Sequence, residues 1–195
     1  MITSQYRKTL YDSHMIILFI YRNKKQHGTS STPVQTNLRW KVDRETADRI
    51  CNFNRHYAEH SGYFSSYSKN DDSFLKMGEQ EYRKNKRVVF YDSNTGKPLF
   101  IIGQRDDQPN HTISKRTWSE FIRESRAHGW PSFRDDEVVW ENVRCLSNGE
   151  AVSLAGTHLG HNLPDAKGNR YCINLVSVAG NPKPKEPARL PESPE

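Results

Sequence analysis

The amino-acid sequence predicts a mainly β domain that carries two helices. Two pairs of short β-prone segments are each joined by turn-forming residues, which is typical of hairpins. A further segment near the carboxyl end alternates with a period of two, as a strand does. Two stretches have apolar residues at helical spacing. These observations predict more strand than helix.

Length and composition indicate one domain with a real core. The chain has 195 residues, which is too short for two ordinary domains with tails. Hydrophobic residues make up only 34% and the mean hydropathy is -0.91, but four Trp, nine Tyr and eight Phe supply large buried areas. A compact fold, most simply a monomer, is therefore expected.

The formal net charge of +6 and the sequence pI near 9.2 raise the question of an acidic partner. The basic residues are scattered and interleaved with acids, as where Arg134 precedes Asp135 and Asp136. This pattern is typical of an ordinary solvated surface. We therefore predict no nucleic-acid partner.

The two ends of the chain are expected to lie outside the domain. The apolar segment 15–21 has seven residues and cannot cross a bilayer, so no stable membrane insertion is predicted. A signal-peptide core, part of an organellar presequence, a buried strand and a disordered extension all remain open. Residues 1–38 are interpreted as leader and linker, 39–180 as the domain, and 181–195 as a proline-rich disordered tail. The compartment is expected to be the cytoplasm, a mitochondrion or a plastid.

The first predicted helix begins at Asp43, whose side chain can cap it, and ends at Ser61 and Gly62. Its inward face is apolar, and the residues at helical spacing are Ala47, Ile50, Cys51 and Tyr57. Cys51 is therefore expected to point into the core.

The second predicted helix has a clear start and end. Thr117 and Glu120 form a capping-box pattern, and Gly129 is typical of a helix end. The inward face at helical spacing consists of Trp118, Phe121, Ile122 and Ser125. The chain from 129 to 133 is expected to leave this helix as a loop.

The strands are predicted as two hairpins and a last strand. The first hairpin pairs 87–91 with 98–102, and the second pairs 143–146 with 151–154. The last strand covers 169–178, and its alternation places a guanidinium, a thiol and an amide on one face. Those three residues are Arg170, Cys172 and Asn174.

The cysteines exclude two classes of site. Cys51, Cys145 and Cys172 are an odd and sparse set, which argues against a disulfide-stapled secreted scaffold. No CxxC occurs, so one chain cannot build a four-thiolate zinc site, and no mixed Cys/His spacing indicates a metal. We predict no metal and no bound cofactor.

Taken singly, the candidate residues leave their roles open. Cys172 is either a nucleophile supported by Arg170 or a small core residue. The spacing of His158 and His161 lets both rings approach one point in a tight turn, but does not place them on one face of a strand. The pair is open to three interpretations: metal ligands, a general-acid pair or exposed loop residues. Trp130 is either a core residue or an apolar wall for a methyl or thioether group.

Together, four phrases in one order resemble the methionine-R-sulfoxide reductases. The phrases are Gly-Trp-Pro-Ser-Phe at 129–133, His-Leu-Gly-His at 158–161, Pro-Asp at 164–165 and Arg-Tyr-Cys-Ile-Asn at 170–174. The strict match runs from Gly129 to about Val178, and a looser one through Gly-Lys-Pro-Leu-Phe at 96–100 extends back to about Arg87. The resemblance implies two antiparallel β-sheets packed together with small flanking α-helices.

The resemblance also implies the reaction and its central groups. Cys172 would attack the sulfoxide sulfur of R-methionine sulfoxide in a peptide or oxidised protein, leaving methionine and a cysteine sulfenic acid. His158 and His161 would protonate the departing oxygen. A non-catalytic module that recognises oxidised methionine or a protein partner remains the alternative.

The remaining site residues follow from the same resemblance. Asp165, Arg170 and Asn174 would orient the reacting groups and support the thiolate. Trp130 would receive the S-methyl group and select the R epimer, with Phe133 beside it in the substrate site.

Departures from the family concern zinc and recycling. Many members carry two zinc-binding CxxC pairs and a recycling cysteine before the Gly-Trp-Pro-Ser-Phe phrase, where this chain has His128. The segment 146–155 is longer than usual. The resemblance is thus to the zinc-free subgroup, and the sulfenic acid would be resolved by Cys145, by Cys51, or by an external thiol such as thioredoxin or a small thiol.

Overall fold

The computed structural model describes residues 30–52, 73–104 and 116–183, which form a mainly β structure. Three α-helices are described: α1 Arg44–Asn52, α2 Ser73–Asn85 and α3 Trp118–His128. Seven strands are described: β1 Arg87–Tyr91, β2 Pro98–Gly103, β3 Ser132–Phe133, β4 Val143–Cys145, β5 Glu150–Ser153, β6 His158–Asn162 and β7 Tyr171–Ile173. The apolar segment 15–21 and the tail beyond 183 lie outside the described residues.

The strands form two antiparallel sheets. β1 and β2 are a two-stranded sheet, and the other five strands follow the order β3-β7-β6-β5-β4. Both predicted hairpins are confirmed. Two expectations were wrong: β7 is shorter than the predicted 169–178, because Leu175–Ser177 turns as a 3-10 helix, and the expected loop 129–133 contains β3, which pairs with β7.

Stacked aromatic rings join the two sheets and α3. The ring of Phe133 on β3 stacks on Phe100 of β2 with centroids 4.2 Å apart. The rings of Phe90 on β1 and Phe121 on α3 pack against Phe133, with ring centroids 4.9 and 5.0 Å from its centroid. All four side chains are fully buried. The prediction of two antiparallel sheets with flanking helices is therefore confirmed at this level.

The two predicted helices begin where their caps indicate. Asp43 accepts a hydrogen bond from the backbone N–H of Thr46 at 2.7 Å, just before α1, whose predicted extension to Ser61 lies outside the described residues. The Thr117 and Glu120 capping box opens α3, and Gly129 ends it with a left-handed φ of 78°. Local sequence signals placed these ends correctly because capping bonds are made within one turn.

Helix α2 was not predicted from the sequence. Phe74 and Gly78 are buried, and Leu75 and Tyr82 pack against the core, so one face of this helix turns inward. Gly78 allows the indole of Trp118 to approach closely, since a Cβ there would lie 2.3 Å from the ring. The ring of Phe74 packs against Trp40, Phe90 and Trp118, so contacts with β1 and α3 position this helix.

The folded part begins earlier than the predicted residue 39. Val34 is 2% exposed and belongs to the core. The N–H of Gln35 donates to the carbonyl of Ser93 at 2.8 Å, and the amide of Asn94 donates to the carbonyl of Thr32. Residues 30–38, interpreted as linker, therefore pack on the domain.

Candidate active site

Four chemically active side chains lie in one row across the five-stranded sheet. Cys172 on β7 is directly opposite Ser132 on β3 and directly opposite His161 on β6. His161 is in turn opposite Glu150 on β5. Directly opposed residues project to the same face of a sheet at short separation. The row therefore places the thiol between a hydroxyl and an imidazole, with a carboxyl one strand further.

A β-bulge brings His158 to the same site. The β5–β6 ladder pairs Ala151 with Gly160 but Val152 with His158, so Leu159 is an extra residue on β6. In a regular strand the side chains of His158 and His161 would point to opposite faces. Because Leu159 is an extra residue, both side chains project to the same face. Their ring centroids are 5.6 Å apart. The expectation that one strand could not hold both rings together was wrong, because the strand is bulged.

Asn174 holds the bulge. Its side-chain amide and its backbone N–H both donate to the carbonyl of Leu159, at 3.1 and 2.7 Å. Asn174 is 3% exposed and follows the last residue of β7. Asn174 therefore binds the backbone of Leu159, which lies between the two histidines in the chain.

Glu150 is a site residue that the sequence analysis missed. Its Oε1 lies 2.8 Å from Nδ1 of His158, and the two side chains are 3% and 1% exposed. In the predicted hairpin of 143–146 with 151–154, Glu150 falls in the turn. The only available signal was an acidic residue next to a predicted strand, and its partner is set by the register of β5 against β6.

Arg170 contacts the thiol directly, as their shared strand face predicted. Its Nη1 lies 2.5 Å from Sγ of Cys172, and its Nε lies 3.3 Å from Oδ2 of Asp165. Arg134 donates to both oxygens of Asp165, at 3.0 and 2.8 Å. These hydrogen bonds hold the pKa of Asp165 well below its usual range. Asp165 therefore remains ionised and orients Arg170.

Arg134 is not the ordinary surface charge that its acidic neighbours suggested. Its side chain is 15% exposed and forms ion pairs with Glu124 and Asp165, which raise its pKa. Arg116 pairs with the same Glu124 and with Glu137, and burial raises the pKa of Glu137 to about 7. A chain of ion pairs therefore runs from the interior to the guanidinium beside Cys172.

The thiol of Cys172 experiences opposing influences. Burial raises its pKa, and the charge of Arg170 with hydrogen bonds from Ser132 and Arg170 reduces this rise without cancelling it. Arg170 favours the thiolate, in the expected direction, but its effect on the pKa of Cys172 is smaller than the effect of burial. Cys172 is partly exposed, so a small group can reach it while its resting form is the thiol.

The two expected substrate contacts are in different environments. Trp130 is partly exposed and follows α3, and its carbonyl accepts the hydroxyl of Ser132 at 3.0 Å. Phe133 is fully buried in the aromatic core. Its expected place in the substrate site is therefore corrected: Phe133 anchors β3, and Trp130 alone of the pair is accessible beside the row.

Neither candidate resolving cysteine is placed to reach Cys172. Cys145 on β4 is directly opposite Ala151 on β5. Because Ala151 follows Glu150, this pair projects to the other face of the sheet. Strands β5 and β6 also lie between Cys145 and β7. Cys51 is fully buried in α1, near the hydroxyl of Ser177, and burial raises its pKa strongly. A disulfide requires Cα atoms within about 7 Å, and three strand spacings are about 14 Å. The expectation that Cys145 could resolve the sulfenic acid is therefore corrected.

One group of side chains in the described part of the chain has the spacing of metal ligands. Ligand atoms of Glu124, His128 and Asp165 all lie within 4.8 Å of one another. Both carboxylates already bind arginines, Glu124 with Arg116 and Arg134, and Asp165 with Arg134. These guanidinium groups supply the positive charge that a cation would supply. Glu124 and Asp165 therefore belong to the ion-pair chain.

Comparisons with protein-family models, with curated proteins and with solved structures found no match. Among the described residues, no helix combines the length and the apolar character that crossing a membrane requires.

Proposed function

We propose that this protein reduces R-methionine sulfoxide in peptide linkage to methionine, with Cys172 as the nucleophile. The observation that carries the proposal is the placement of this thiol opposite His161 in a row that also holds Ser132 and Glu150. The bulge brings the ring of His158 to within 5.6 Å of the ring of His161 on the same face. A partly exposed thiol opposite one imidazole of a histidine pair combines a nucleophile with a proton donor.

The reaction transfers one oxygen atom and two electrons. The sulfur of Cys172 attacks the sulfoxide sulfur while an imidazolium of the histidine pair donates a proton to the sulfoxide oxygen. The oxygen then moves to Cys172 as a hydroxyl, and the thiol proton replaces the proton that the imidazole donated. The sulfoxide is reduced to the thioether, and Cys172 is oxidised to a sulfenic acid.

Arg170 and Trp130 have separate roles in this scheme. Arg170, held by Asp165, favours negative charge on the sulfur during attack, which offsets part of the cost of burial. Trp130 offers a partly exposed apolar surface next to β3 for the methyl group of the substrate. Together they favour attack by a thiol that is protonated at rest.

An external thiol completes the cycle. One thiol condenses with the sulfenic acid, releasing water and forming a mixed disulfide, and a second thiol releases Cys172 and leaves as a disulfide. Thioredoxin or a small thiol can supply both equivalents. This route fits the position of Cys145 on the other face of the sheet and the full burial of Cys51 beside Ser177.

One observation favours a second candidate, a binding module that recognises oxidised methionine without turnover. Burial raises the pKa of Cys172, and a protonated thiol is a weak nucleophile. The two candidates differ in whether methionine is released.

The test offers both epimers of a methionine sulfoxide peptide to the wild-type protein with dithiothreitol and measures methionine. We expect product from the R epimer only. Cys172→Ser should lose all turnover, and Cys145→Ser is the matched control that removes a thiol from the opposite face and keeps turnover. Product from the S epimer, or activity in Cys172→Ser, would refute the reductase, and binding without product would favour the module.

A further inference from the structure

Glu150 occupies a position that the motifs of the candidate site do not include. Glu150 lies in the segment 146–155, which follows β4 and precedes β6. The side chain of Asn148 accepts the N–H of Glu150 at 3.1 Å, and Gly149 takes a left-handed φ of 84°. This turn delivers Glu150 as the first residue of β5, directly opposite His161.

We infer that Glu150 is a positioning residue that sets the tautomer of His158 and stabilises its charged form; this rests on the proposed function for its catalytic meaning. A carboxylate accepts hydrogen bonds, so the 2.8 Å contact between Oε1 of Glu150 and Nδ1 of His158 places a hydrogen on Nδ1. Nε2, at the opposite edge of the ring, then gains or loses the proton that moves.

This arrangement suits a proton donor. When the imidazolium gives up its Nε2 proton, the Nδ1–H tautomer remains, and its bond to Glu150 need not rearrange. Before that step, the carboxylate stabilises the positive charge of the ring, as a buried acid does for a catalytic histidine elsewhere. Both side chains are almost fully buried, which strengthens the interaction.

Other charged and titratable groups lie on neighbouring positions. His161 is opposite Glu150 on β6, and its ring faces that of His158. Cys172 and Arg170 follow one strand further. Among the described residues, the hydrogen bond of Glu150 to Nδ1 of His158 is the contact that its removal is designed to test.

The experiment measures the tautomer and the kinetics separately. Two-bond proton–nitrogen NMR spectra report which ring nitrogen of a neutral histidine carries hydrogen, and loss of a signal in His158→Asn assigns it. We expect Nδ1–H in the wild-type protein. In Glu150→Ala the ring should revert to the Nε2–H form that a free imidazole prefers, while the His161 signal stays in place.

The kinetic arm uses the R-sulfoxide peptide with dithiothreitol. We expect kcat to fall about 10–100-fold in Glu150→Ala, with KM unchanged, because general acid catalysis contributes about 10²–10⁴-fold and loss of the partner removes part of it. Glu150→Gln keeps the side-chain volume but lacks the charge, and its kcat should fall about tenfold. Glu141→Gln, at an exposed position before β4, is the control and should keep the wild-type kcat.

Three results would overturn the inference: Nε2–H in the wild-type protein, an unchanged tautomer in Glu150→Ala, or a wild-type kcat in Glu150→Gln. If Glu150→Ala does not fold, the wild-type tautomer and Glu150→Gln still decide. If the wild-type protein reduces neither epimer, the proposed function fails, whereas the tautomer measurement still decides the role of Glu150.

Discussion

At the scale of single residues, Cys172 is the centre of two competing effects. Partial burial disfavours the thiolate, and Arg170, anchored by Asp165, favours it. Burial is the larger effect, so the pKa of the thiol is raised. A thiol of this kind is protected from indiscriminate oxidation, and it depends on nearby proton donors to react.

This balance predicts how alkylation of Cys172 depends on pH. The thiolate reacts with iodoacetamide, so the rate should rise with pH, with a midpoint above the range of a free cysteine because burial raises the pKa. Arg170→Gln should move the midpoint higher still, since the variant loses the positive charge next to Sγ. Peptide mapping by mass spectrometry measures the rate at Cys172 alone. A midpoint that falls in Arg170→Gln would contradict this electrostatic account.

At the scale of elements, strand β6 depends on a close approach to β7. Gly160 follows the bulged residue, and a Cβ on Gly160 would lie only 2.0 Å from the carbonyl oxygen of Cys172. That oxygen belongs to the backbone and cannot rotate away as a side chain would. Gly160 therefore permits both the bulge and the β6–β7 pairing that aligns His161 with Cys172.

Gly160→Ala should therefore lower the free energy of unfolding by about 3 kcal/mol or more, because the added methyl group forces the two strands apart. Gly168→Ala is the matched control: Gly168 has a left-handed φ of 110°, but a Cβ there meets nothing within 4 Å. Its cost should be about 1–2 kcal/mol from backbone strain alone. Urea denaturation measures both values. Equal losses in the two variants would show that the close approach is unimportant.

The elements also differ in how far the sequence alone predicted them. Helix α3 and both hairpins were predicted with nearly correct ends, because capping boxes, turn residues and alternation act over a few neighbouring residues. Helix α2 and strand β3 were missed. Unlike α3, α2 has no capping box to mark its start, and the two residues of β3 become a strand only through their pairing with β7.

At the scale of the whole molecule, the sheet separates the cysteines. Cys172 lies near one edge of the five-stranded sheet, whereas Cys145 lies on β4 at the opposite edge and belongs to a row of the other face. Cys51 is buried in α1. An internal disulfide with Cys172 would require the sheet to come apart, so the fold favours an external reductant.

Cys145→Ser should consequently keep turnover with thioredoxin as well as with a small dithiol. Resolution by an external thiol does not involve the face where Cys145 lies, so neither rate should change by more than about twofold. Steady-state assays with each reductant measure this. Loss of the thioredoxin-dependent rate alone would show that Cys145 reaches the sulfenic acid through a rearrangement of the sheet.

The sequence by itself determined the hairpins, two helix starts, and the residue types of the candidate site from Trp130 to Asn174. These follow from local rules and from the order of motifs. Tertiary structure alone decided which side chains meet: the bulge at Leu159, the Glu150–His158 contact, and the burial of Phe133. The physical reason is that strand register and ion pairing join residues far apart in the chain, and neither is encoded in any short segment.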